Sequence, residues 1–402
     1  MGSRVFFFLL ILSPLLYSFD GDDLREEKVI AVAILAVLYF LMISKKQSIY
    51  GKKEIIIIGL FSFMAVLQQF FIVNGSVVYG VKYAITLLSS FIPYWIARTL
   101  GTEPTNDIKF EKSAITAIMT LFLITTTTIF LSYLLGWGEV HQQSGDSIRA
   151  FGWLGDSFTP VIVFLILISF LLKNYLMLSM ALIALLMTGG KAAIGMLILS
   201  PILFVFSAFS TRIKIMLVVF YLSLLFLLTL YATPIIELIS ENPRYEASYN
   251  TRILSIYIGL EYFYDNPVFG VGVIQSMKGI ETDVIALARE MRIVYFYQVT
   301  QIHNTIIRIA AEVGVFGLVL LLYFYYIVLK NAFFLIKNGK NMPNTRSRYI
   351  VLASSVWVVS FILVYQTTGW FEPGHPQLSW LLTFSTLSEV FYRRWAISNK
   401  LS

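Results

Sequence analysis

Residues 303–330 read HNTIIRIAAEVGVFGLVLLLYFYYIVLK, and the fold follows from how this stretch divides. From Val313 to Leu329 it carries no charge, and with the residues ahead of it the run reaches the ~20 residues a helix needs to cross hydrocarbon. Lys330 closes it, and the only charges inside are Arg308 and Glu312, one helical turn apart. Such a segment is a membrane span with a polar mouth.

Similar runs recur along the whole chain. Across 402 residues the hydrophobic share is 58% and the charged share 13%, with mean hydropathy +0.78, which excludes a water-soluble globule. Disordered, collagenous and nucleic-acid-binding classes are excluded with it. The absence of cysteine rules out disulfides, thiolate catalysis and Cys-ligated zinc. Apolar runs separated by charged or Gly/Pro-marked breaks predict an all-α polytopic protein with about 12 transmembrane helices. They begin near Arg4, Val29, Ile55, Val77, Ser113, Phe158, Asn174, Ala192, Ile213, Ile302, Ile350 and Gln377. No small-x-small site cleanly ends the first run, so it is read as a retained span rather than a cleaved signal peptide.

Charge gives the orientation. Alternate connections and the two termini together collect 19 of the 30 Lys and Arg residues and only 5 of the 23 Asp and Glu, including Lys45–Lys46, Lys109, Lys112 and the group from Lys330 to Arg348. By the positive-inside rule those connections, and both termini, are cytoplasmic. The expected organisation is spans 1–9 over residues 1–232, a lid over 233–301, and spans 10–12 over 302–402. Within the lid, Thr251–Asp265 and Glu281–Gln301 are predicted to be amphipathic helices at the outer interface, joined by a turn containing Asp265-Asn266-Pro267 and Gly270-Val271-Gly272.

Basic residues on the outer side run against this bias and call for anionic company. They are Lys82, Arg149, Lys191, Arg252 and Arg308. Guanidinium forks and ammonium charges gathered at one leaflet would suit a phosphate or diphosphate ligand. For Arg308 the plainer reading is an intramembrane pair with Glu312. All three histidines, His141, His303 and His375, fall in outer segments. His141 reads as solvated and His375 as part of a turn, whereas His303 stands where the lid meets the tenth span and could transfer a proton. The acidic run Asp20 to Glu27 reads as an orienting loop rather than a metal site, and Thr188-Gly189-Gly190-Lys191 lacks Walker spacing.

His303-Asn304, Glu312, Gly314 and Phe316-Gly317-Leu318 resemble the signature of the O-antigen ligase and O-antigen polymerase superfamily. Thr251-Arg252 with Asn266-Pro267-Val268-Phe269-Gly270-Val271-Gly272, Arg149-Ala150-Phe151-Gly152 and Thr188-Gly189-Gly190-Lys191-Ala192 resemble its other motifs in the same order. Lys191 departs from the pattern, which has Arg there, exchanging a planar fork for a point charge. The resemblance implies a metal-independent, cofactor-free, GT-C-type glycosyltransferase of the bacterial inner membrane, working at the periplasmic face. It implies an undecaprenyl-diphosphate-linked oligosaccharide donor, a glycan or lipid acceptor, surrounding membrane lipids and a chain-length regulator as partners. His303, Arg252 and Glu312 then become catalytic candidates, with Arg149, Lys191, Arg252, Arg308 and Lys82 as diphosphate-binding candidates.

Polymerisation of lipid-linked repeat units is the preferred activity, because no appended periplasmic domain suggests a protein acceptor. Ligation to lipid A core shares the same motifs and stays open. A transporter or lipid flippase is the alternative from another class, although it would place its polar residues near the midplane and often shows related halves.

Overall fold

The computed structural model describes residues 52–71, 107–136, 139–142, 148–152, 159–206, 243–272, 280–297, 302–343, 345–367 and 376–401, with scattered positions from 77 to 87 and Val299. The spans expected near Arg4, Val29 and Ile213 lie outside these residues, as do Lys82, His375 and the acidic run Asp20 to Glu27. Ten α-helices are described: α1 Lys52–Leu67, α2 Asp107–Leu135, α3 Thr159–Leu171, α4 Tyr175–Thr188, α5 Lys191–Phe206, α6 Pro243–Asp265, α7 Ile280–Glu290, α8 Thr305–Gly339, α9 Arg346–Val364 and α10 Pro376–Leu401. A 3-10 turn, Gln68–Phe70, extends α1. Three stretches, Lys109–Leu135, Thr305–Gly339 and Arg346–Val364, are long and apolar enough to cross a membrane. The chain is a helical membrane protein.

The helical class needs one addition. The connection after α2, read as a polar loop, holds an antiparallel ribbon of β1 (Glu139–Gln142) and β2 (Ile148–Gly152), in which His141 is register partner to Arg149. The ribbon packs on α2 and α4.

Helix α9 is the hub, packed against α3, α5, α8 and α10. Trp357 is fully buried there, its indole N–H donating to Pro160 O at 2.6 Å and its ring stacked on Phe361. Several polar side chains in the spans bond within their own helices, as hydrocarbon offers no water. Thr126 returns its hydroxyl to Phe122 O at 2.7 Å and Thr128 to Ile124 O at 2.8 Å, while Ser200 meets Ser360 across two helices at 3.1 Å. At one end, Ser347 Oγ donates to Glu111 at 2.7 Å, the Arg394 guanidinium covers the Phe110 ring at 3.9 Å, and Lys340 reaches Phe204 O at 3.1 Å. These belong to connections that the charge rule assigns to the cytoplasm. The opposite end of α8 carries the candidate site.

Helices α6 and α7 share a second, smaller core with the start of α8. Leu254 and Ile258 of α6 pack against Ile280, Val284 and Ala288 of α7 and against Ala311 of α8. Tyr262 donates to Asp283, tying α6 to α7; burial and that carboxylate push the phenol pKa well up. The helix expected over Glu281–Gln301 is shorter than its sequence suggests. It ends at Glu290, Arg292 takes a left-handed φ of 57°, and the chain continues without regular structure toward α8.

Candidate active site

Three side chains of α6 receive the descending chain. Asn250 Nδ2 donates to Tyr295 O at 3.0 Å, Thr251 Oγ1 accepts from Tyr297 N at 2.8 Å, and Ser255 Oγ accepts from His303 N at 3.2 Å. Ser255 is fully buried and donates in turn to Arg252 O at 2.8 Å. These bonds replace the ladder that a non-helical segment lacks. They also set the imidazole-bearing residue one turn along from Arg252.

Arg252, Ser255 and Gly259 are spaced three and four apart, so they share one face of α6. That face is turned to the mouth of α8: a Cβ on Gly259 would lie 2.6 Å from the Ile307 side chain and 3.1 Å from that of Ile302. Arg252 is exposed. On the other side of α6, Tyr257, Leu260, Glu261 and Tyr264 line an open groove of about 680 Å³.

Asn304 caps α8, its side-chain oxygen accepting from Ile306 N at 3.0 Å and Ile307 N at 3.1 Å. The HN pair therefore starts the helix and turns it. One turn inside, Arg308 Nε meets Glu312 Oε1 at 2.9 Å with both side chains only 2% exposed. The pair expected from the spacing is formed. Removing either partner would leave a lone buried charge, which is far costlier than the pair itself. Burial, then Arg252, then Arg308, lower the His303 pKa to about 4, so near neutrality the imidazole is uncharged and able to accept a proton.

Beyond Glu312 the helix breaks. Gly314 has φ 70° and ψ −164°, a conformation essentially reserved for glycine. The chain after α6 fills the gap: Val271 N donates to Ala311 O at 2.8 Å, Gly272 N to Glu312 O at 3.0 Å, and Val315 N to Pro267 O at 2.8 Å. A Cβ on Gly314 would fall 2.2 Å from Val268 O, and one on Gly270, at φ +69°, 2.4 Å from the Glu312 carbonyl carbon. The glycines of both motifs thus serve one close backbone crossing. Gln68 joins it from α1. Fully buried, with its amide nitrogen turned toward the two acceptors, it donates to Glu312 O and Phe269 O, each at 3.1 Å. Phe71 stacks on Phe269 at 4.8 Å.

The structure brings Arg252, His303, Arg308 and Glu312 together. Arg149 and Lys191 stand on other elements, the first on β2 and the second opening α5 just after the left-handed cap Gly189. Gly190 fits only because it lacks a side chain, since a Cβ would lie 2.2 Å from Thr159. Sequence reading missed Ser255, Asn250 and Gln68, and named Thr251 only as part of a motif. Ser255 had a signal, three residues from Arg252 on the same face. Among the described residues no group of three or more His, Asp and Glu could hold a metal ion.

Residues 176–322 match the family model described as O-antigen ligase. The match bears out the resemblance read from the motifs, and it contains Lys191, Arg252, the 266–272 crossing, His303 and Glu312, while Arg149 precedes it. No curated protein matches the chain.

Proposed function

We propose that this protein is an inner-membrane glycosyltransferase that polymerises oligosaccharide repeat units carried on undecaprenyl diphosphate, acting at the periplasmic face. The observation that carries this reading is the meeting of Arg252, His303 and the Arg308–Glu312 pair at the mouth of α8, inside the family-matched residues. About twelve spans, cytoplasmic termini and a three-part division into 1–232, 233–301 and 302–402 belong to the same proposal.

In this mechanism His303 takes the proton of an acceptor sugar hydroxyl as that oxygen bonds to the anomeric carbon. The bond from that carbon to the diphosphate oxygen breaks, and its electron pair leaves with the lipid diphosphate. Arg252, Arg149, Lys191 and Lys82 stabilise the growing negative charge, which is where preplaced cations are most effective. Arg308 adds to that field while neutralising Glu312, and Glu312 acts by holding Arg308 in place. No metal or cofactor takes part. A chain-length regulator is a partner of this activity.

Ligation to lipid A core is the second reading, supported by the description of the matched family. The test uses purified protein in detergent with lipid-linked repeat units alone and with added lipid A core. A ladder from repeat units alone supports polymerisation; product only when core is present supports ligation. His303→Ala and Arg252→Ala should each lower transfer at least about 100-fold, the usual contribution of a general base or a charge-stabilising group. Near-normal turnover in both would remove the assignment.

A further inference from the structure

Gln68 is a carboxamide placed where an apolar side chain would be cheaper. It lies at the end of α1, fully buried, and burying an amide costs free energy unless both donors find partners. Both do: one reaches Glu312 O and the other Phe269 O, at 3.1 Å each. These acceptors belong to different segments, α8 and the crossing chain.

Gln68 is not required to close the broken ladder. Glu312 O already accepts from Gly272 N at 3.0 Å, and Ala311 O and Val315 N have their own partners at 2.8 Å. What Gln68 adds is a third anchor. The three backbone bonds join only two segments, side by side, and leave their crossing angle to be set by other contacts. A side chain from α1 that holds one carbonyl of each segment fixes that angle, and the stacked Phe71 and Phe269 rings brace the same contact. The part of α8 ahead of Gly314 carries Arg308 and Glu312, so its direction decides where the Arg308 guanidinium lies relative to His303 and Arg252.

We propose that Gln68 is a positioning residue for glycosyl transfer, aligning the Arg308–Glu312 segment with His303 and Arg252 through its paired bonds to Glu312 O and Phe269 O. The inference rests on the function proposed above. It assigns a role to α1, which lies well before the family-matched residues.

Two variants test it in full-length protein with the lipid-linked donor. Gln68→Met keeps length and apolar volume but loses both donors. With each neutral hydrogen bond contributing ~1 kcal/mol, kcat should fall about tenfold or more while KM for the donor stays within about twofold. Its unfolding temperature in detergent should fall only by the few degrees that the two lost hydrogen bonds cost, since Met keeps the packing. Gln68→Glu sets a carboxyl against two carbonyls, which disfavours the ionised form and lets the protonated form restore one donor. Its kcat relative to the parent should therefore rise as pH falls from about 8 to about 6.

If both variants match the parent in kcat and pH profile while His303→Ala is inactive, the positioning role is overturned and the proposed function stands. If Gln68→Met loses activity together with a large drop in unfolding temperature and a raised KM, Gln68 is a packing residue and the inference fails. If the parent itself transfers no glycan while remaining folded, the function and this role fall together.

Discussion

The backbone N–H of Val315 donates to the carbonyl of Pro267 at 2.8 Å, a partner from a separate part of the chain. In an uninterrupted helix it would return to Ala311, whose carbonyl instead accepts from Val271 at 2.8 Å. Backbone from the segment after α6 thus completes the helix that carries the candidate site, and the two cannot be placed independently.

Gly314→Ala and Gly270→Ala test that crossing. Each forces a side chain onto positive φ and into backbone within 2.5 Å. Conformational strain alone costs ~1–3 kcal/mol, and the displaced backbone adds to it. Both variants should show a clearly lowered unfolding temperature in detergent. An unchanged value for Gly314→Ala would mean the break is not formed.

The buried pair gives a cycle. Arg308→Met or Glu312→Met alone leaves an uncompensated charge and should destabilise by ~3–5 kcal/mol. The double variant removes both charges, so it should be more stable than either single one. Thermal unfolding of all four proteins measures the coupling; strict additivity would argue against the 2.9 Å contact.

Under the proposed mechanism, His303 sets the acid limb of activity. A base whose pKa is lowered from 6.5 to about 4 stays unprotonated as pH falls, so kcat/KM should hold across neutrality and decline only as pH approaches about 4. Bound diphosphate would offset the Arg252 and Arg308 charges, placing the limb of kcat, which reports the bound state, at higher pH. Both profiles come from one set of steady-state measurements. A kcat/KM limb near the ordinary histidine value would show that neither burial nor the two cations depress the ring's pKa.

Ser255→Ala removes the acceptor for His303 N and should cost ~1 kcal/mol of stability. Because the bond fixes the start of α8 against α6, kcat should fall by roughly that free energy, about fivefold, with donor KM little changed. Equal kcat in the variant and parent would mean His303 is held by other contacts.

Hydropathy made the described spans legible, and the four-residue spacing of Arg308 and Glu312 announced their pair, because both signals are local. The stretch after Glu290 did not announce itself. Arg289, Glu290 and Arg292 among Leu287, Met291 and Val294 have helical periodicity, yet Arg292 turns left-handed and Asn250, Thr251 and Ser255 capture the chain from a distant helix. Gly270-Val271-Gly272 read as a turn, and its insertion into another helix depends on Gly314, which no local pattern reveals. Gln68 was illegible for the same reason: its partners come from elsewhere in the chain.

Cut from its context, a peptide covering residues 303–330 would behave differently in a bilayer. Nothing would compete for the Ala311 carbonyl, Val315 would close its own ladder, and the rod would run straight, since a glycine permits a bend without demanding one. The bend belongs to two strips of chain jointly. Peptides of this span alone would therefore reproduce its insertion but not its bend, and grafting this signature onto another protein would require bringing its crossing partner along.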